Sequence, residues 1–129
     1  MIYHLDMSKA EELEERLKNY SLKTLRMIKK LPKKQENRIY GHQLIRSSSS
    51  IGANYAEARY AHSMQDFIHT LNICRREANE SLYWLGLALA TNPYFKNEIQ
   101  DLIDEGRQIL KIFISSVKTA KNNKKNDKK

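Results

Sequence analysis

From Ser8 to Leu31 the chain contains neither Pro nor Gly, and Leu13, Leu17, Tyr20, Met27 and Leu31 fall on a four-three spacing with Thr24 at the one polar step. Apolar residues at that spacing share one face of an α-helix, so the stretch reads as one long amphipathic helix. Ser8 followed by Glu11 is a capping-box pattern, in which the hydroxyl accepts a free backbone N–H and the carboxylate reaches back. Pro32 ends the helix. The same spacing recurs three times. Residues 35–59 carry it through Tyr40, Leu44, Ser47, Ile51, Asn54 and Ala58, with Gly41 and Gly52 as weak points that only a packing reason would justify. Residues 63–91 carry it through Phe67, Leu71, Cys74, Ala78, Ser81, Leu85 and Ala88, opened by Ser63 with Asp66 three residues on. Asn92-Pro93 then starts a fourth helix over 93–120, because Asn caps and Pro at the first helical position gives up an N–H that would be unpaired anyway. Its stripe is Phe95, Ile99, Leu102, Gly106, Ile109, Phe113 and Val117.

The three connections are short, which places successive helices antiparallel. The expected fold is all-α, an up-down-up-down four-helix bundle over residues 1–117, with first and third connections at one end and the second at the other. Helices of about 24 residues are about 36 Å long. The remaining segment, 118–129, lacks an apolar face and is expected to be frayed or disordered.

With 129 residues the chain has room for one domain. Hydrophobic residues at 40%, and only 4 Gly and 2 Pro, exclude a disordered or collagen-like chain. The longest apolar runs, such as 83–90, are too short to span a bilayer, so no membrane helix is expected. The N-terminal segment holds Asp6, Glu11, Glu12, Glu14 and Glu15 without the apolar core of a secretory signal, and a cytoplasmic location is expected. The single Cys74 lies on an apolar seam, where a small buried hydrophobe is the ordinary role.

Net charge is +8, and residues 118–129 hold six Lys against Asp127, leaving 17 basic and 14 acidic residues elsewhere. An anionic partner, RNA above all, fits that balance, although a Lys-rich end also serves solubility. The candidate nucleic-acid contacts are Lys29, Lys30, Lys33 and Lys34 around the first connection, Arg75 and Arg76 on the third helix, and Lys121, Lys124 and Lys125 in the tail. Arg59 and His62 flank the second connection. Phosphate contacts need only such charge and give salt-dependent affinity with little sequence preference.

Chemistry of other kinds finds little purchase. Di-metal bundles need Glu-x-x-His on two helices, whereas Asp66-x-x-His69 stands alone and His4, His42 and His62 show no ligand spacing. No Gly-rich phosphate loop is present. Ser47 to Ser50 lie mid-helix without a His or Lys spaced to activate them, so they read as small packing residues. Ser49, Gly52 and Ala56 form a stripe where another helix backbone can come close. Beside it run Gln43, Arg46, Ser50, Asn54 and Glu57, and the third helix brings Glu77 and Glu80 near. A buried Arg46 needs a carboxylate partner, so a structural polar network with Glu77 or Glu80 is expected. No catalytic, cofactor or metal site is expected; an enzyme built on Glu57, Glu77, Glu80 and His69 is the remote alternative.

The run from Gln43 to Ala58 (QLIRSSSSIGANYAEA), the segment Ser63-x-x-Asp66-Phe67-Ile68 and the segment from Arg76 to Leu85 (REANESLYWL) resemble the bacterial four-helix-bundle family whose founding members are encoded within intervening sequences of large-subunit ribosomal RNA genes. The resemblance runs from the first helix to about Val117. It implies an antiparallel left-handed four-helix bundle without known catalytic activity, often a homopentamer. A related branch comprises accessory proteins of diversity-generating retroelements, basic pentamers that bind reverse transcriptase and nucleic acid. Arg46, Ser50, Asn54, Glu57, Glu77 and Glu80 match family positions and carry over as structural and interface residues. In many relatives Pro stands at position 52, where this chain has Gly and a bend is permitted without being forced. The expected function is a noncatalytic homo-oligomer that engages RNA or a ribonucleoprotein through basic ends. The rival is a protein-interaction module using exposed apolar residues such as Tyr83, Trp84, Tyr94 and Phe95.

Overall fold

The structure, a computed structural model, describes residues 7–127. Residues 1–6, with His4 and Asp6, and the last two tail residues lie outside the described residues. The fold is all-helical: α1 (Met7–Lys30), α2 (Gln35–Ala58), α3 (Met64–Thr91), a short 3-10 turn (Pro93–Phe95) and α4 (Lys96–Asp127), with no strand among the described residues. Packing joins α1 to α2, α2 to α3, α3 to α4 and α4 back to α1, and across one diagonal the Tyr55 ring of α2 meets the Phe113 ring of α4 edge-on at 5.8 Å. No helix is long and apolar enough to cross a membrane among the described residues.

The periodic stripes make one core. Leu17, Tyr20, Met27 and Leu31 from α1 and its end meet Leu44, Ile51 and Tyr55 of α2, while α3 contributes Phe67, Leu71, Cys74, Ala78 and Leu85, and α4 Ile99, Ile109 and Phe113. All seven seam positions read from residues 63–91 are buried. Serine and threonine on the seam are satisfied inside their own helices or across the seam, the Thr24 hydroxyl donating to Tyr20 O at 2.8 Å and the Ser81 hydroxyl to Ser47 Oγ at 2.8 Å, whereas the Tyr20 hydroxyl is buried without a hydrogen-bond partner among the described residues. The Cys74 thiol is buried and donates to Ile51 O at 3.5 Å. Burial pushes its pKa up to about 12, so it is a core thiol without thiolate character at neutral pH.

Glycines mark close approach. A Cβ on Gly41 would lie 2.8 Å from Ile28 Cγ2, so the packing reason at that position is the nearness of α1. At Gly52 a Cβ would stand 3.5 Å from Leu17 Cβ, which is ordinary contact, and α2 runs unbroken through it. The small-residue stripe is only partly used. Ser49, Gly52, Ala53 and Ala56 face an open groove shared with Lys18, Ser21 and Leu22 of α1.

Helix ends differ from expectation in three places. Helix α1 already includes Met7, so Ser8 lies inside the helix instead of capping it. Ser63 does cap α3, its side chain accepting from Asp66 N–H at 3.0 Å. Asn92 precedes the 3-10 turn but makes no side-chain cap bond, because its amide is engaged elsewhere. The tail is the largest correction. Helix α4 continues to Asp127, so residues 118–127 are helical where a frayed segment was expected. Val117 and Ala120 are buried and anchor the segment, and the following Lys and Asn residues contain no Pro or Gly to stop the helix.

Candidate nucleic-acid interface

Two buried amides organise one end of the fold. Asn37, in the first turn of α2, and Asn92, just past α3, exchange reciprocal hydrogen bonds: Asn37 Nδ2 donates to Asn92 Oδ1 at 2.9 Å, and Asn92 Nδ2 donates to Asn37 Oδ1 at 2.8 Å. The second proton of each amide is also used, by Pro32 O at 2.9 Å and by Ala88 O at 2.9 Å. Every amide donor therefore has a partner, as a buried polar pair requires. The clasp ties the 31–34 connection to the 92–95 connection. Neither Asn belongs to an apolar stripe: Asn92 reads as a cap, and Asn37 lies in the second helix ahead of Tyr40, where its stripe begins.

Around this clasp the sequence is basic. Residues 29–38 and 92–98 together hold six basic residues against Glu36 and Glu98. Lys30 Nζ reaches Glu98 Oε1 at 2.8 Å, which neutralises that acid and removes Lys30 from the free set. Lys29, Lys33, Lys34, Arg38 and Lys96 are exposed. Lys29, Lys33, Arg38 and His42 line a groove of about 670 Å³ together with the apolar residues Ile28, Leu31, Pro32 and Ile45. Arg38 and His42 were missed in the sequence, where they stand apart from the lysine run; their spacing one turn apart on α2 was the available signal.

The other nucleic-acid candidates do not join this surface. Arg75 and Arg76 lie midway along α3, and Arg75 Nε donates to Asn72 Oδ1 at 3.2 Å. Lys121, Lys124 and Lys125 ride on the last turns of α4. Those turns belong with the other end, where a cleft of about 520 Å³ is lined by Ala10, Tyr55, Phe67 and Ser116, drawn from all four helices. Arg59 is no phosphate contact. It is 5% exposed and paired with Glu14 Oε1 at 3.1 Å, and that bond raises its pKa further.

The polar network forms between α2 and α3 with a smaller membership than expected. Arg46 donates to Glu77 Oε2 at 3.2 Å, to Glu80 and to Gln43 Oε1 at 3.2 Å. Glu80 also accepts from Trp84 Nε1 at 3.3 Å. Asn54 instead donates to Ser50 O within α2, and Glu57 is exposed three turns away from Arg46. With Arg46 47% exposed, this is a surface clamp and its net contribution is small. Both carboxylates face a permanent cation, which ties them to helix pairing. Among the described residues no group of three or more His, Cys, Asp or Glu side chains is placed to hold a metal ion.

Exposed aromatic residues divide likewise. Tyr83 is 63% exposed and meets Trp84 edge-on at 5.3 Å, and Trp84 in turn faces Tyr40 at 6.3 Å. Trp84 and Phe95 are partly buried against the core.

Comparison with known proteins agrees with the whole-chain pattern. The family model described as 23S rRNA-intervening sequence protein matches residues 8–115. The chain is also similar to a crystal structure from Bacteroides thetaiotaomicron, a protein of unknown function from the S23 ribosomal protein family. The two are 33% identical with a TM-score of 0.74, over 81% of this chain and 97% of that one. No curated protein matches.

Proposed function

Because the chain belongs to the 23S rRNA-intervening sequence protein family, we propose that it is a noncatalytic homo-oligomer that binds RNA or a ribonucleoprotein through the clasped basic end. The observation that carries this reading is the convergence of Lys29, Lys33, Lys34, Arg38 and Lys96 on two connections locked by Asn37 and Asn92. Such a cluster neutralises phosphates and releases their counterions. The tail lysines on α4 give a second, separate contact. We read the fold as an up-down-up-down, left-handed bundle in a cytoplasmic protein, with a pentamer as the favoured assembly. The alternation is supported by Arg16 pairing with Glu105 and Lys30 with Glu98, and by Ser47 meeting Ser81 while Asn37 meets Asn92. The hand and the subunit number rest on the family resemblance.

The test is salt-titrated binding of total RNA to protein freed of carried-over nucleic acid. Binding should fall linearly in log–log form, and replacing Lys33 and Lys34 by Gln should reduce the slope by roughly 0.7–0.9 per lost cation. Failure to bind RNA even at low salt would overturn the reading. The exposed Tyr83 beside Trp84 and Tyr40 would then favour a protein-interaction module. A monomeric solution mass at micromolar concentration would count against the oligomer under either reading.

A further inference from the structure

The clasped end carries an aromatic group as well as cations. Tyr94 is 99% exposed, in the 3-10 turn that follows the clasp directly. That turn is held on every side. Asn92 is fixed by Asn37, Pro93 has a fixed φ, and Phe95 N–H returns to Asn92 O at 3.0 Å while its ring packs against the core. Tyr94 is thus a ring on pinned backbone with both faces open. Its neighbours across the clasp are cationic. Asn37 Nδ2 lies 2.9 Å from both Pro32 O and Asn92 Oδ1, so Lys33 and Lys34 leave the same point as the turn, and Lys96 follows Tyr94 by two residues. Of the two acids at this end, Glu98 is held by Lys30 and Glu36 is partly buried.

We propose that this end is a site for unpaired RNA, in which one base stacks on Tyr94 while the flanking phosphates meet Lys33, Lys34 and Lys96. The proposal rests on the RNA-binding reading and narrows it. A duplex buries the faces of its bases and presents phosphates and sugar edges, so an exposed ring gains nothing from it; an unpaired base offers a free π-face. Lysines alone would serve both forms. The ring is what selects between them.

Anisotropy titrations with an unstructured single strand of about ten nucleotides, and with a blunt duplex of the same length, test the site. The full chain should favour the single strand. Tyr94→Ala should weaken single-strand binding about fivefold or more while leaving its salt slope and the duplex affinity unchanged. Tyr94→Trp should restore the affinity and show quenching of the new indole beyond that of Trp84 in the parent protein. Since Tyr94 touches nothing, all three proteins keep the same helicity. A preference for duplex, or Tyr94→Ala binding the single strand as the parent does, overturns the proposal and leaves the basic end as a general phosphate surface. Loss of all RNA binding in the parent protein at low salt overturns the broader reading and this site with it.

Discussion

Gly86 and Gly106 look alike in the sequence, each a glycine within a helix, and the structure separates them. A Cβ on Gly106 would sit 2.9 Å from Tyr20 Oη and 2.9 Å from Leu82 Cδ2. Leu82 can turn aside, but Tyr20 is 1% exposed and its ring is fixed by the core. Gly106→Ala should therefore cost about 1–3 kcal/mol, measured as a lower urea midpoint at unchanged m-value. A Cβ on Gly86 meets nothing within 4 Å, so Gly86→Ala should stabilise by about 0.5–1 kcal/mol through helix propensity alone. A change of the same sign at the two positions would contradict the packing described. What the sequence could show was that Gly106 lies on the buried stripe; which side chain fills the space above it depends on α1, some 86 positions away in the chain.

At the level of elements, the apolar rhythm was enough to locate every helix and most of the core. It failed where side chains choose partners across elements. Asn92 has the local pattern of a cap, yet a buried amide with four donors and acceptors to satisfy is drawn to Asn37 instead. Arg59 has the local pattern of a surface cation, yet Glu14 on another helix takes it into the interior. The clasp can be tested directly. Asn37→Ala leaves the Asn92 amide buried without its partner and should cost about 1–3 kcal/mol, and Asn92→Ala should cost a similar amount. The double variant should cost less than the two singles summed, with the coupling energy read from the denaturation cycle. Additive losses would mean that each amide acts through its backbone partner alone. The site was legible in the same uneven way: the lysine run stands out in the sequence, Arg38 and His42 join it where α2 packs beside the end of α1, and the exposed ring of Tyr94 joins it only once the two connections are tied together.

Taken as a whole, the molecule stores protons that its unfolded chain releases. Burial pushes the Tyr55 hydroxyl up to about 12 and the Cys74 thiol up to about 12, and it raises Tyr20 as well, where the charge of Glu105 adds to the effect. Each group is neutral when protonated, and each has a folded pKa above its unfolded value. The stability they contribute is complete below pH 9, where the unfolded thiol also holds its proton, and is lost as pH rises from there toward 12. The unfolding free energy from urea titrations should thus fall through this range, at up to about 1.4 kcal/mol per pH unit for each group. Cys74→Ala should shallow the fall by one proton's worth. A flat profile between pH 9 and 11 would show that these groups open to solvent without unfolding.

The clasp has one more consequence, for how the chain can be divided. Its two amides sit on opposite halves of the sequence, one serving the α1–α2 pair and the other the α3–α4 pair, while the 59–63 link is exposed at Tyr60 and His62. A break at that link removes no clasp bond and cuts no helix. The two hairpins, expressed as separate polypeptides, should find each other and rebuild the parent helicity in one-to-one ratio, the reciprocal amides acting as the key that sets their register. Halves carrying Asn37→Ala should pair more weakly, so that co-purification of the two fragments reads the strength of the lock.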